Sequence, residues 1–223
     1  MMTLLLWIAC SSEPDQPAQP PEPIVEPAPD KKKAKPDKKA GKKSKAKGDK
    51  RATIVPGKSF GPVKGGMSRD EIAALFPKIE LENKDIHVGE GHTLPGLVVP
   101  LKEGREFSVL FETDARTNAV TVQDVGKAWQ YEGVGNGSNL DALHAALGKP
   151  FTFLGFGWDY SGTVMISSTA WKPHDGKIWV RLSPENSDSP LYDQMIGDRE
   201  FQSDVDGMED LDVRVYDFSV RLH

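Results

Sequence analysis

Three short stretches hold residue types that could do chemistry. His87-Val-Gly-Glu90-Gly-His92 groups two imidazoles and a carboxylate, the donor types of a zinc site. Such a site needs a fourth ligand and a fixed geometry, and a Gly-rich turn with no cysteine nearby offers neither. Asp204-Val-Asp206-Gly207-Met-Glu209-Asp210-Leu-Asp212 has the look of half a calcium loop. With Gly207 as its sixth position, the first is Gln202 and the twelfth Val213, so both essential carboxylates are missing. It reads as an acidic turn. His144 stands beside the apolar face of a predicted helix and reads as an ordinary histidine. The chain has no Gly-x-Ser-x-Gly elbow for a nucleophilic serine, and its many carboxylates lie in no context that would raise a pKa. No catalytic residue, metal ligand or cofactor is predicted. Two aromatic clusters remain, Trp129-Gln-Tyr131 and Phe156-Gly-Trp158-Asp-Tyr160. Most such residues pack inside. Trp129, Tyr131, Trp158 and Tyr160 are nonetheless the candidate partner-binding anchors, because Trp and Tyr dominate interface hot spots.

The only cysteine, Cys10, ends the apolar run Leu4-Leu-Leu-Trp-Ile-Ala9. That run is too short to span a bilayer as a helix, which takes about 20 residues. A short apolar leader is normally removed from the mature protein, so residues 1–9 read as a signal peptide. Ala9-Cys10 resembles the end of a bacterial lipobox, in which the cysteine is lipidated and becomes the mature N-terminus. Ser11 behind it resembles the pattern sorted to the outer membrane of Gram-negative envelopes. The resemblance implies palmitate on Cys10, a membrane partner through that anchor, and a folded part facing the periplasm. With one cysteine, no internal disulfide is available.

Residues 12–29 contain seven prolines, which fix φ and favour extended polyproline II. Residues 30–51 hold eleven Lys and one Arg against three Asp, net +9, with no apolar periodicity. Like charges repel, so a disordered N-terminal spacer is expected over residues 10–58. Its basic tract, Lys31, Lys32, Lys33, Lys38, Lys39, Lys42 and Lys43 above all, is either a solvated spacer or a contact for an anionic polymer or lipid headgroups. Nucleic acid is excluded as a partner, since no aromatics for stacking are interleaved. The chain total is −5 and residues 11–29 contribute −4, which leaves −10 for residues 52–223. An acidic folded part hangs on a basic stalk.

That folded part opens with a capping box, Ser68-Arg-Asp-Glu71. It predicts a helix over about 69–76 with Ile72, Leu75 and Phe76 on one face, stopped by Pro77. The same pattern recurs 71 residues later. Val63 falls on Val134, Gly66 on Gly137, Ser68 on Asn139, Ile72 on Leu143 and Phe76 on Leu147. Strand patterns follow each helix: Leu97–Leu101, Glu106–Glu112 and Ala119–Asp124, then Phe151–Gly157, Thr163–Ser168 and Lys177–Leu182. Val213–Leu222 is a last strand whose facing is ambiguous. The expected fold class is α+β: two tandem helix-plus-antiparallel-sheet units, 59–130 and 131–223, the second with a C-terminal strand extension.

Gly61-Pro-Val-x-x-Gly66-Met-Ser68-x-x-Glu71-Ile72, repeated as Val134-x-x-Gly137-Ser-x-Leu140-x-x-Leu143-x-x-x-Leu147-Gly-Lys-Pro150, resembles small secreted domains of the BamE and β-lactamase-inhibitor-protein type. A fainter likeness is to the sigma-E-regulated lipoproteins of enterobacteria. The resemblance covers residues 60–182 and implies helix-plus-sheet binding modules of bacterial envelopes. The expected function is a lipid-anchored, non-enzymatic binding or scaffold protein whose partner is an envelope protein or cell-wall polymer. Two alternatives stand beside it: a cell-wall hydrolase with a site assembled from distant residues, and electrostatic attachment through the Lys tract.

Overall fold

A computed structural model describes residues 53–111 and 118–223. Cys10 and the Lys tract lie outside the described residues. The elements run β1 (Ile54–Val55), β2 (Ser59–Phe60), β3 (Val63–Lys64), α1 (Arg69–Leu75), β4 (Glu82–Gly89), β5 (His92–Val99), β6 (Phe107–Phe111) and β7 (Ala119–Gln123). Then come α2 (Leu140–Leu147), β8 (Thr152–Leu154), β9 (Ile178–Pro184), α3 (Pro190–Gln194), β10 (Glu200–Gln202) and β11 (Val213–Arg221). The folded residues thus start ahead of the expected boundary at 59.

Helices α1 and α2 form where their caps place them. Ser68 Oγ accepts the Glu71 N–H at 3.3 Å while Glu71 Oε2 accepts the Ser68 N–H at 2.8 Å, a reciprocal box. Those bonds also hold the Glu71 carboxyl below its usual range. Asn139 Oδ1 accepts the Ala142 N–H at 3.0 Å. Ser68→Ala and Asn139→Ala are each expected to cost about 1 kcal/mol in urea denaturation; a loss under a few tenths at either site would show that the cap is not what holds that helix.

The 71-residue repeat extends to how each helix is docked. Gly66 and Gly137 both adopt a left-handed backbone, at φ 82 and φ 88, which only glycine takes without cost. The Gly66 N–H donates to Ala119 O, and the Ala119 N–H returns a bond to Met67 O. One repeat on, the Gly137 N–H donates to Val215 O, and the Val215 N–H returns a bond to Ser138 O. Each turn is therefore stitched to a strand by the same pair of bonds. Val63, Val134, Ile72 and Leu143 are fully buried beneath them.

The sheets overturn the two-unit α+β expectation. Strand occupies 37% and helix 18% of the described residues, so the fold is mostly β. Six strands make one antiparallel sheet in the order β4-β5-β6-β7-β11-β9, drawing on both halves of the chain. The last strand is the cause. Instead of extending a second sheet, β11 enters between β7 and β9, pairing Val220 with Val122 on one side and Phe218 with Val180 on the other. It thereby covers the open edge of β7, which would otherwise present unpaired amides. Thr163–Ser168 forms no strand: Thr163 and Val164 make isolated bridges, and Ile166–Ser168 is a 3-10 turn. β8 pairs with β10 in a small separate sheet, and β1-β2-β3 make another.

The ambiguous facing of Val213–Leu222 has a structural origin. A bulge lies between Val215 and Asp217, and one extra residue switches the parity of the alternation. Val213 and Val215 face the core before it; Phe218, Val220 and Leu222 do so after it. The core on that face joins β-strand valines to an aromatic cluster in which Phe60 meets Trp129 at 4.3 Å and Phe107 at 5.3 Å.

Candidate aromatic face over the central sheet

Val109, Val122, Val180 and Phe218 point to the main core, so their register neighbours Leu110, Gln123, Arg181 and Asp217 point to the opposite face of the sheet. The β4–β5 hairpin lies over this second face. Only Gly96–Val99 of β5 pair with β6, leaving the distal half of the hairpin free to bend. Gln123 sits opposite Ser108, which is opposite Val98, far along β5 from Thr93. Yet Gln123 Nε2 donates to the carbonyl of His87, the partner of Thr93, at 3.1 Å. The hairpin therefore folds back across the sheet. Gly96 permits this: a Cβ there would collide with Ile86 Cγ1 and stand 3.0 Å from Lys84 O. Ile86 and Leu110 are buried but lie apart from the main core, which accounts for β6 being buried on both faces.

The hairpin tip reaches a loop 70 residues away. Tyr160 Oη donates to Glu90 Oε1 at 2.6 Å. Glu90 sits between two glycines with a left-handed backbone, φ 49, an uncommon geometry for a residue with a Cβ. The carboxylate acceptor, followed by its charge, pushes the Tyr160 phenol up. Trp158 packs edge-on to Tyr160 at 5.3 Å and donates through Nε1 to Gly155 O. Arg181 holds this loop in place, donating to Asp159 O at 2.6 Å and Ser161 O at 3.2 Å. Its guanidinium lies 5.3 Å from the centre of the Tyr216 ring. Tyr160 and Tyr216 are 50% and 45% exposed.

Asp217, beside Tyr216 in the bulge and opposite Arg181 in register, is pushed up to about 6. Desolvation is the main cause; Asp124 adds to it, and Arg181 opposes it. The Tyr216 phenol is raised by burial too. A half-buried carboxyl that titrates near neutrality is costly to keep and marks a place worth testing for function.

The four predicted aromatics separate. Trp129 is 4% exposed, packed against Phe60 and Phe107, with Nε1 donating to Arg105 O at 2.8 Å; it presents nothing to a partner. Tyr131 lies on Trp171 at 5.0 Å and bonds His174 Nε2 at 2.8 Å, away from the other pair in its contacts. Trp158 and Tyr160 come together on the second face. Tyr216, Arg181 and Asp217 complete that face and were missed in the sequence, where the sole signal was the break in alternation at residues 216–217.

His87 and His92 lie on the paired strands of the hairpin, and among the described residues no group of three His, Cys, Asp or Glu is arranged to hold a metal ion. The acidic stretch from Asp204 lines a cleft of about 390 Å³ with Asp141, His144 and Lys149. His144 Nε2 meets Ser203 Oγ at 2.9 Å, and Ser203 Oγ also accepts the Phe151 N–H at 2.9 Å. Ser203 is buried yet lines the same cleft as His144, and its two bonds brace the chain there. Burial and then Lys149 lower the His144 pKa, against the pull of Ser203, Asp141 and Asp204.

No family model, curated protein or solved structure matches the chain.

Proposed function

We propose that this chain is a lipid-anchored binding protein of a bacterial envelope, facing the periplasm, with the Trp158–Tyr160–Tyr216 face as its contact surface. The observation behind the reading is that face itself: two exposed tyrosine rings and a half-buried indole, braced by Arg181 and by the Tyr160–Glu90 bond. Rigid aromatic side chains give large contact area at little entropic cost. The lipobox-like Ala9-Cys10 and the motif likeness to envelope binding modules supply the address.

Photo-crosslinkers placed at Tyr160 and Tyr216 in cells are expected to give the same discrete adduct, absent when the probe sits at exposed Asp175. Labelled palmitate is expected in the wild-type protein and not in Cys10→Ser. Adducts from Asp175 alone would move the contact surface elsewhere, and no label in the wild type would remove the anchor. A hydrolase reading draws on the half-buried Asp217 carboxyl, pushed up to about 6 by desolvation with Asp124 adding to it. Release of soluble fragments from purified cell wall, lost in Asp217→Asn, would favour it over binding.

A further inference from the structure

The second face of the sheet has exposed rings and a lopsided charge. Glu90 bonds the Tyr160 hydroxyl, and Asp159 acts electrostatically on the same phenol. Asp217 stands next to Tyr216, and Asp124 is near enough to act on it. Three carboxylates thus act on the two rings, and a fourth, Asp124, acts on Asp217. Arg181 is the cation set among them, and its guanidinium is already committed to Asp159 O, Ser161 O and the Tyr216 ring. The residues from 52 onward carry −10 in all, so the wider field has the same sign. Such a surface repels nucleic acid, acidic polysaccharide and anionic lipid. It attracts cations, which gain from the faces of tyrosine and tryptophan as well as from the carboxylates. The Arg181–Tyr216 contact shows that a guanidinium fits against the Tyr216 ring.

We propose that this face receives a basic peptide segment of a partner protein, its Lys and Arg side chains seated on the Tyr160 and Tyr216 rings and paired with the carboxylates around them. The inference rests on the binding-protein reading and names the chemistry of its partner. The β4–β5 hairpin folded over the sheet forms one wall of the site, with the Tyr160–Glu90 bond joining it to the loop opposite.

The test uses the full chain in detergent and three probes: a fluorescent twelve-residue Lys-Gly repeat peptide, its Glu-Gly counterpart, and a neutral tetramer of N-acetylglucosamine. The Lys peptide is expected to bind and to weaken with salt, and any Glu-peptide binding, which the basic tract of residues 30–51 can supply, to be unchanged in Tyr160→Ala and Tyr216→Ala. Tyr216→Ala and Tyr160→Ala are each expected to weaken the Lys peptide about two- to five-fold, and Tyr160→Phe, which keeps the ring, much less. Asp159→Asn removes charge without touching a ring and is expected to weaken it too. Unchanged affinity in both alanine variants, with normal thermal melts, overturns the site. Binding of the sugar tetramer or the Glu peptide in place of the Lys peptide, lost in Tyr160→Ala and Tyr216→Ala, overturns the cationic class, while leaving the face as a binding surface. No bound probe together with persistent in-cell adducts from Tyr160 and Tyr216 has the same meaning. Lys-peptide binding that depends on the rings, without any in-cell adduct, upholds the site chemistry and overturns the proposed contact surface.

Discussion

Asp217→Asn is expected to make the protein more stable at pH 7.5, by up to about 3 kcal/mol, and to change little at pH 4. The folded pKa of about 6 stands above the ordinary 3.8, so the native state binds more protons than the unfolded chain between those values. Stability from this group is complete below pH 3.8 and is lost as pH rises through about 6. Asparagine has nearly the same shape and no charge to desolvate, so it removes the loss. Arg181 keeps its two carbonyl partners in the variant. Urea titrations of wild type and variant at pH 4, 5, 6 and 7.5 separate this group from other carboxylates, because only the difference between the two proteins is read. A constant difference across the range, or a destabilised variant at pH 7.5, would mean that Asp217 is paired and not merely desolvated. The expected gain also bears on function: a substitution that stabilises this much is available yet unused, as happens where a charge is kept for binding or catalysis.

Gly162→Ala is expected to lose about 2–4 kcal/mol. Gly162 has φ +67, and a Cβ on it would collide with the Leu182 carbonyl. The residue cannot simply shift away. Its N–H donates to Leu154 O at 3.0 Å and Gly155 O at 3.2 Å, and its carbonyl accepts the Leu182 N–H at 2.9 Å. It stitches β8 to β9 immediately beside the loop that holds Trp158 and Tyr160. Gly176→Ala is the matched control, with φ +69 and nothing within 4 Å of the added Cβ. That variant is expected to cost about 1–2 kcal/mol from backbone conformation alone, so the excess at Gly162 measures crowding. Equal losses in the two variants would show that the crossing at Leu182 relaxes freely. Gly162→Ala is also expected to weaken binding at the aromatic face, since the loop carrying Tyr160 is displaced with it.

Particular residues show how far local reading reaches. Ser68, Glu71 and Asn139 announced α1 and α2, because a cap is satisfied within three residues of itself. Gly66 and Gly137 announced the repeated turn, because the left-handed backbone is needed there whatever surrounds it. β4 was not legible. Its sequence, Glu-Asn-Lys-Asp-Ile-His-Val-Gly, buries Ile86 alone, and it is a strand by virtue of seven register pairs with β5. Main-chain pairing leaves no side-chain pattern to read. Tyr216 and Asp217 were hidden for a related reason. A bulge breaks the period that sequence reading depends on, and it does so where the chain turns two polar side chains to the second face.

The division follows the range of the forces. Caps, left-handed glycines, strand alternation in β6 and β7, and the segregation of charge are set by residues within a few positions of one another, and they are legible in the chain alone. Which edge the last strand would join was decided only in three dimensions, where an open β7 and the apolar side of β11 bury each other. The aromatic face was decided there too. Tyr160 and Tyr216 are 56 positions apart in the sequence, and Glu90 another 70 from Tyr160. Arg181 joins the Tyr160 loop to Tyr216, and a hairpin that folds across the sheet, made possible by Gly96, brings Glu90 to them.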